Sequence, residues 1–286
     1  MPSGFTFAAL SGLFALLFIL EQVFPLRART ARLWQRFILN LAISAVAFVT
    51  AAVLVKPLGG LLLRWSADKP IGVLHWVSLR EPVAMAGGFL LMDLSFYYWH
   101  LANHKLPLLW RFHNVHHMDE DLDVTTAFRF HFGEIAFSAV FRMVQVLALG
   151  VSGWTYAIYE VVFQANTMFH HSNVRLPISL ERLLNKVLVT PRMHGIHHSQ
   201  VETETNSNFS TVFSWWDRMH RSLDVSVPQS QIIVGVPAYS GQIEKRVWGC
   251  LALPFQKQRD YWCKPDGTRV VRESVAAKQS DKGLAE

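Results

Sequence analysis

The run Asp93-Leu-Ser-Phe-Tyr-Tyr-Trp-His100-Leu-Ala-Asn-His104-Lys-Leu-Pro-Leu-Leu-Trp-Arg-Phe-His113-Asn-Val-His116-His117 begins in an apolar segment and ends among imidazoles. It holds one of two copies of the spacing His-x-x-His-His; the other is His194-Gly-Ile-His197-His198. Imidazole is the commonest neutral metal ligand near pH 7, and positions i, i+3 and i+4 lie on one face of a helix. Each triplet is therefore expected to aim three ring nitrogens at one point. His100 and His104 add an i, i+4 pair, and His170 and His171 an adjacent pair. The candidate ligands are then His100, His104, His113, His116, His117, His170, His171, His194, His197 and His198. Ten imidazoles suffice for two ions with four or five protein nitrogens each.

Neighbouring residues extend the pattern. Asp93 lies in an apolar span, where a carboxylate is costly unless paired. Asp93, Tyr97, His100 and His104 form one helical stripe, so Asp93 is expected to accept a ring N–H from a ligating histidine and fix its tautomer. Successive helical side chains diverge by about 100°, so His170 and His171 face different ways, and His171 is the preferred ligand. His131, in Arg129-Phe-His-Phe-Gly-Glu134, is expected behind the ligands, while His75 and His220 read as ordinary polar side chains. Fe, Zn, Cu and Ni all suit such a nitrogen-rich site. Zinc is normally satisfied by four ligands, and iron fits best if the site performs oxygen chemistry.

Composition sets the surroundings. Of 286 residues, 51% are hydrophobic and only 17% charged, below the charge of a soluble domain. Five apolar runs, Phe5–Phe24, Phe37–Val55, Val83–Trp99, Ile135–Leu149 and Trp154–Phe169, are expected to cross or deeply enter a bilayer. Phe5–Phe24 has no N-terminal basic cluster or small-residue cleavage site and reads as a retained span. Gly150-Val-Ser-Gly153 is expected to reverse the chain between the last two runs. This path puts the Arg27–Arg36 loop, 100–131 and everything after His170 on one side, with the Lys56–Arg80 connection opposite. Arg27, Arg29, Arg32 and Arg36 assign the histidine side to the cytoplasm. Leu180, Leu183, Leu184, Val187 and Leu188 suit a helix at the membrane interface or an ordinary packed one.

The net charge of +6 comes from basic residues spread around apolar runs, which argues against a nucleic-acid partner. Two cysteines, Cys250 and Cys263, form no metal or disulfide framework. The domain reading is one membrane domain over 1–240, its histidine motifs within 93–221, then a polar tail over 241–286 whose final 15 residues or so have a disordered composition. The fold class is all-α: an integral membrane bundle of four to five embedded helices, with a cytoplasmic helical cap holding a dimetal site.

These motifs resemble those of the fatty acid hydroxylase and sterol desaturase superfamily of membrane non-haem di-iron enzymes. The similarity rests on His100-Leu-Ala-Asn-His104, His113-Asn-Val-His116-His117, Phe169-His170-His171-Ser172-Asn173-Val-Arg-Leu-Pro177 and Met193-His194-Gly-Ile-His197-His198-Ser199. Thr205-Asn-Ser-Asn208 and Trp215-Trp-Asp-Arg218 add to it, so it covers nearly half the chain. The resemblance implies two Fe ions on the ten histidines, with Asn208 and Asp217 joining Asp93 and His131 behind them. It also implies O2 as co-substrate and a membrane lipid that is hydroxylated or desaturated. Gly195 stands where many relatives carry a larger, often basic residue, and Met219-His-Arg-Ser replaces a commoner aromatic-Gly-Thr ending.

The chain shows no Gly-rich dinucleotide fingerprint and no haem or flavin motif, so electrons are expected from a separate donor. A basic cytoplasmic surface suits an acidic carrier such as cytochrome b5 or a ferredoxin with its reductase. The expected home is a bacterial inner membrane, or the endoplasmic reticulum in a eukaryote. A divalent-metal transporter is the competing reading, but transporters place ligands near the bilayer midplane, and these histidines fall at helix ends. A non-catalytic metal-binding homologue is the third.

Overall fold

The structure, a computed structural model, describes residues 3–66, 69–241 and 246–272. The apolar N-terminal run forms α1 (Ser3–Val23), and the next forms α2 (Leu33–Thr50). The second does not stop where the sequence suggested. A π-helical stretch, Ala51–Val55, leads directly into α3 (Lys56–Ser66), so part of the expected Lys56–Arg80 connection is helix. Pro57 supplies a physical reason. A proline ring inside a helix clashes with the carbonyl four residues back, and the wider turn just before it is one way to continue. The continuous helix Leu33–Ser66 is about 50 Å long, more than a bilayer core requires.

The chain re-enters as α4 (Glu81–Lys105) and bends at once into α5 (Pro107–His117). Leu106 has the extended backbone that a residue before proline favours, and Pro107 opens α5 where its missing N–H costs nothing. This bend folds His113–His117 back beside His100 and His104. Next come α6 (Phe132–Leu149) and α7 (Gly153–His171), joined through Gly150 in the left-handed conformation and Ser152, whose hydroxyl caps Thr155 N. The reversal expected at Gly150–Gly153 is therefore present. Short helices complete the body: α8 (Ile178–Asn185), α9 (Pro191–His197), α10 (Glu202–Thr205), α11 (Trp215–His220) and α12 (Val247–Ala252). Among the described residues, β pairing is limited to isolated bridges such as Pro25 with Val174.

The long helices are inside out relative to a soluble bundle. Phe7, Ile19, Trp34, Ile38 and Phe48 are exposed, whereas Glu21, Asn40, Asp93 and Gln145 are buried. That pattern suits lipid outside and polar contacts within. Among the described residues, three helices, Gly4–Val23, Leu33–Ser66 and Phe132–Leu149, are long and apolar enough to cross a membrane. The bundle is an integral membrane, all-helical fold.

Two sequence readings need amending. Arg27 and Arg36 are buried, not loop surface: Arg36 forks Asp119 at 2.7 and 2.8 Å and reaches Asp123 at 2.6 Å. Burial alone would raise the Asp119 carboxyl, but the Arg36 and Arg129 guanidinium groups outweigh it and hold it at about 2. In the segment read as a polar tail, residues 246–272 join the body. Cys250 and Leu253 pack with Ile43, Val115 and Met118, and Trp262 stacks on Trp110. The expected disordered end falls almost wholly outside the described residues.

Candidate metal centre

Nine histidine side chains from α4, α5, α7 and α9 and its C-cap meet in two groups at one end of the bundle. His100, His104, His113, His117 and His197 form one; His116, His171, His194 and His198 form the other, with candidate ligand atoms within 4.8 Å of one another inside each group. Neither triplet aims at a single point, contrary to the sequence expectation. At about 100° per residue, i+4 lies about 40° from i on one side and i+3 about 60° on the other. The i, i+4 pair His113/His117 therefore serves the first group while His116 crosses to the second. His194/His198 serve the second, and His197 crosses to the first. The groups abut: His117 and His198 stack with ring centroids 4.3 Å apart.

The rings present lone pairs to one another. His100 Nδ1 donates to Phe209 O at 2.8 Å and His197 Nδ1 to Ser207 O at 2.6 Å, since a carbonyl oxygen only accepts. With each N–H spent outward, the two Nε2 atoms face each other at 3.1 Å without a proton between them. In the second group Nε2 of His171 lies 3.0 Å from that of His116 and 3.0 Å from that of His194, whose own Nε2 is 3.2 Å from that of His198. Burial, reinforced by neighbouring imidazoles, holds His116, His117, His194 and His198 well below the usual histidine range; burial also takes His197 to about 3. Neutral, converging imidazole nitrogens repel unless a cation lies between them, so this donor set fits one metal ion per group.

Outer contacts differ from those the sequence suggested. Asp93 touches no histidine: it accepts from Trp216 Nε1 at 2.7 Å and Phe213 N at 3.0 Å, with the Tyr159 hydroxyl at 3.4 Å. Its stripe mate Tyr97 stacks on His220 instead. The carboxylate that meets a histidine is Glu134, whose Oε1 accepts from His113 Nδ1 at 2.7 Å. The sequence reading passed over Glu134. An acid in the first turn of an apolar helix, three residues after His131, was the available signal. His131 caps α6, its Nδ1 accepting from Gly133 N, while its Nε2 donates to Leu251 O at 3.1 Å. It sets the turn that carries Glu134 and stands away from both groups.

Asp217 accepts from Phe209 N and Ser210 N, both at 2.8 Å, and so holds the loop whose carbonyl orients His100. Asn208, at φ 56°, donates to Met193 O and Asp224 O and pins the same loop to α9. His170 belongs to neither group. Its Nδ1 faces Asn166 Nδ2 at 3.3 Å, and its ring lies 4.1 Å from that of His194. His75 and His220 also lie outside both groups, and His220 Nδ1 donates to Trp216 O.

A cavity of about 420 Å³ leads from His100, His113, His116, His171 and His194 down between α2, α4, α6 and α7. Phe96, Phe128 and Phe130 are among the residues that line it. Fold and site together define a membrane-embedded helical protein with two abutting groups of buried histidines that could hold metal, beside a cavity of mixed lining.

Residues 85–222, just under half of the chain, match the fatty acid hydroxylase family. An ornithine lipid hydroxylase from Rhizobium tropici is 26% identical over 193 residues, 67% of this chain and 56% of that protein. Human cholesterol 25-hydroxylase is 29% identical over 177 residues, 56% of this chain and 62% of its own. Alkylglycerol monooxygenase from Xenopus tropicalis is 30% identical over 135 residues, 46% of this chain and 28% of its own. The chain thus spans about three-fifths or less of the length of these relatives. No solved structure matches.

Proposed function

We propose that this chain is an O2-dependent di-iron monooxygenase that hydroxylates a C–H bond of a membrane lipid. The observation that carries the reading is the pair of bare Nε2 atoms of His100 and His197, 3.1 Å apart, beside a cavity whose wall His100 joins. Its support from relatives is at the level of class: each is named a hydroxylase or monooxygenase of a lipid or sterol. The reaction converts C–H, O2, two electrons and two protons into C–OH and water.

Bound iron would supply O2 activation, and an all-imidazole shell would leave its positive charge uncompensated by protein. His100, His104, His113, His117 and His197 would hold one ion, and His116, His171, His194 and His198 the other. His170, against His194 at the cavity wall, is proposed as a further contact to the second ion. Glu134 holds the proton of His113 Nδ1, which keeps Nε2 free to ligate. Phe96, Phe128 and Phe130 exclude water and orient the chain being oxidised. Asp217 and Asn208 fix the Phe209 loop behind His100, and Asp93 and His131 support the site from further out. Hydroxylation is preferred to desaturation because the relatives' names carry it.

We further assign the histidine side to the cytoplasm, in a bacterial inner membrane or endoplasmic reticulum, where a separate carrier of the cytochrome b5 or ferredoxin type delivers electrons. The unit proposed to act is residues 1–240, with 246–272 packed onto it. The test is purified protein loaded anaerobically with iron, then given ¹⁸O2, an electron donor and a lipid extract. About two irons per chain and one ¹⁸O in the product are expected. Unsaturated product without ¹⁸O would make the enzyme a desaturase, and metal retention without lipid oxidation would return it to storage or transport.

A further inference from the structure

One wall of the cavity is polar. On α7, Glu160, Gln164, Thr167 and His171 follow i, i+4, i+7 and i+11 spacing, and all four line it. Gln164 Nε2 and Thr167 Oγ1 are buried with no hydrogen-bond partner among the described residues, and Thr167 is only 4% exposed. A buried donor without a partner costs about 1–3 kcal/mol, so two side by side on a cavity wall call for a ligand group.

Opposite them Arg142 of α6 pairs with Glu160 at 2.9 Å and reaches Gln145 Oε1 at 3.1 Å. The rings of Phe96, Tyr159 and Phe163 surround its guanidinium.

We propose that Gln164 and Thr167, backed by the Arg142–Glu160 pair, anchor the one uncharged polar group of an otherwise apolar substrate. That substrate is a single-chain or fused-ring lipid carrying a hydroxyl, ester or amide. The inference rests on the lipid-oxygenase reading and names its substrate class.

Three observations select the class. The anchor is already neutral, because Glu160 balances Arg142; a carboxylate or phosphate would bring an unmatched charge into a low-dielectric site. A hydroxyl or carbonyl can accept from Gln164 Nε2 and exchange a hydrogen bond with Thr167 without adding charge. The volume, about 420 Å³, holds one modest ligand or a single lipid chain. Reach follows from α7 itself. Gln164 and Thr167 precede His171 by seven and four residues, or roughly 6–10 Å of helix rise, which sets the scale of the distance from the polar group to the carbon oxidised.

The test uses full-length, iron-loaded protein in lipid nanodiscs, with metal content measured first. Radiolabelled hexadecan-1-ol is bound, then competed with unlabelled hexadecane or hexadecanoate. The alcohol is expected to bind best, and in Gln164→Leu/Thr167→Val its advantage over the alkane falls about tenfold while alkane binding is unchanged. Retained alkane binding shows that the variant is folded, and the substitutions remove only unpaired polar atoms. Loss of a fixed oxidation position in the variant is the second expected readout.

The proposal is overturned if the alcohol's advantage survives the double substitution, if hexadecanoate binds best, or if none of the three binds. Alcohol selectivity without lipid oxidation would sink the oxygenase reading and leave the anchor standing. Oxidation that treats alcohol and alkane alike would do the reverse.

Discussion

In the five-imidazole group, three Nδ1 atoms donate to fixed acceptors: His100 to Phe209 O, His197 to Ser207 O and His113 to Glu134. In the four-imidazole group only His171 does so, to Thr167 O, and Nδ1 of His116, His194 and His198 is buried without a partner. The same two sequence triplets feed both groups, each sending its i+3 histidine across. One copy of a motif thus yields a braced nest on one side and a leaner, looser one on the other. Three of the lean group's four rings, His116, His171 and His194, also line the cavity. Fewer ligands and weaker bracing would leave more room for exogenous groups, while the braced site would hold an ion harder.

Exchanging the crossing residues breaks this comparison most directly. His116→Ala leaves three imidazoles in its group, and His197→Ala leaves four in the other. We expect His116→Ala to fall toward one iron per chain and His197→Ala to retain more, each losing at least about a hundredfold in activity. Metal analysis after gel filtration checks it; equal retention in both variants would erase the distinction between braced and lean.

Glu134→Gln tests the bracing itself. The amide cannot take the full charge-assisted bond from His113 Nδ1, so affinity at the five-imidazole group should drop about 10–100-fold while the other group is untouched. A chelator titration of the unaltered protein should release the leaner group's ion first, and in Glu134→Gln the second step should move toward the first. A second step that does not shift would remove Glu134 from the site.

Asp93 supplies the contrast outside the centre. Asp93→Ala strands the Trp216 indole and the Phe213 amide, so we expect about 2–4 kcal/mol of lost stability with metal stoichiometry kept. Thermal unfolding in detergent and iron content, measured together, check it. Loss of iron at unchanged stability would instead return Asp93 to the role its helical stripe first suggested.

These contrasts mark how far the sequence could be read. Helix periodicity, the Gly150–Gly153 reversal and the ten clustered histidines were legible because they are local: spacing along one helix determines them. The division of each triplet was not, because i+3 and i+4 look equivalent until the position of a partner helix is known. Glu134 was passed over, and Asp93 given the wrong partner, for the same reason. A buried acid announces that it has a partner, and only the packing of α5 against α6, or of α4 against the Phe213–Trp216 segment, decides which. Arg36 read as loop surface because its partners, Asp119 and Asp123, lie more than eighty residues away. The π-helical turn before Pro57 had no periodic signature at all.

Gly195 carries the smallest expected effect. It stands inside the second triplet where a larger, often basic residue is common, and its surroundings show what took that space. A Cβ at this position would clash with Arg27 Nη1 and lie 2.9 Å from Gln229 Oε1. Arg27 reaches in from the first interhelical loop and bonds Gln229 Oε1 at 2.5 Å and Pro191 O at 3.3 Å, so a guanidinium from afar occupies the volume a side chain at 195 would take. Burial lowers that guanidinium only to about 10, so it remains charged at neutral pH. Gly195→Ala should therefore cost about 1 kcal/mol, because the atom displaced is the end of a long side chain. In an Arg27→Ala background the same substitution should cost nothing or gain slightly, since helical alanine is favoured over glycine. A double-mutant cycle on thermal stability isolates the coupling. If Gly195→Ala costs the same with and without Arg27, the glycine is there for the lean group's His194 and His198, and not for the arginine beside them.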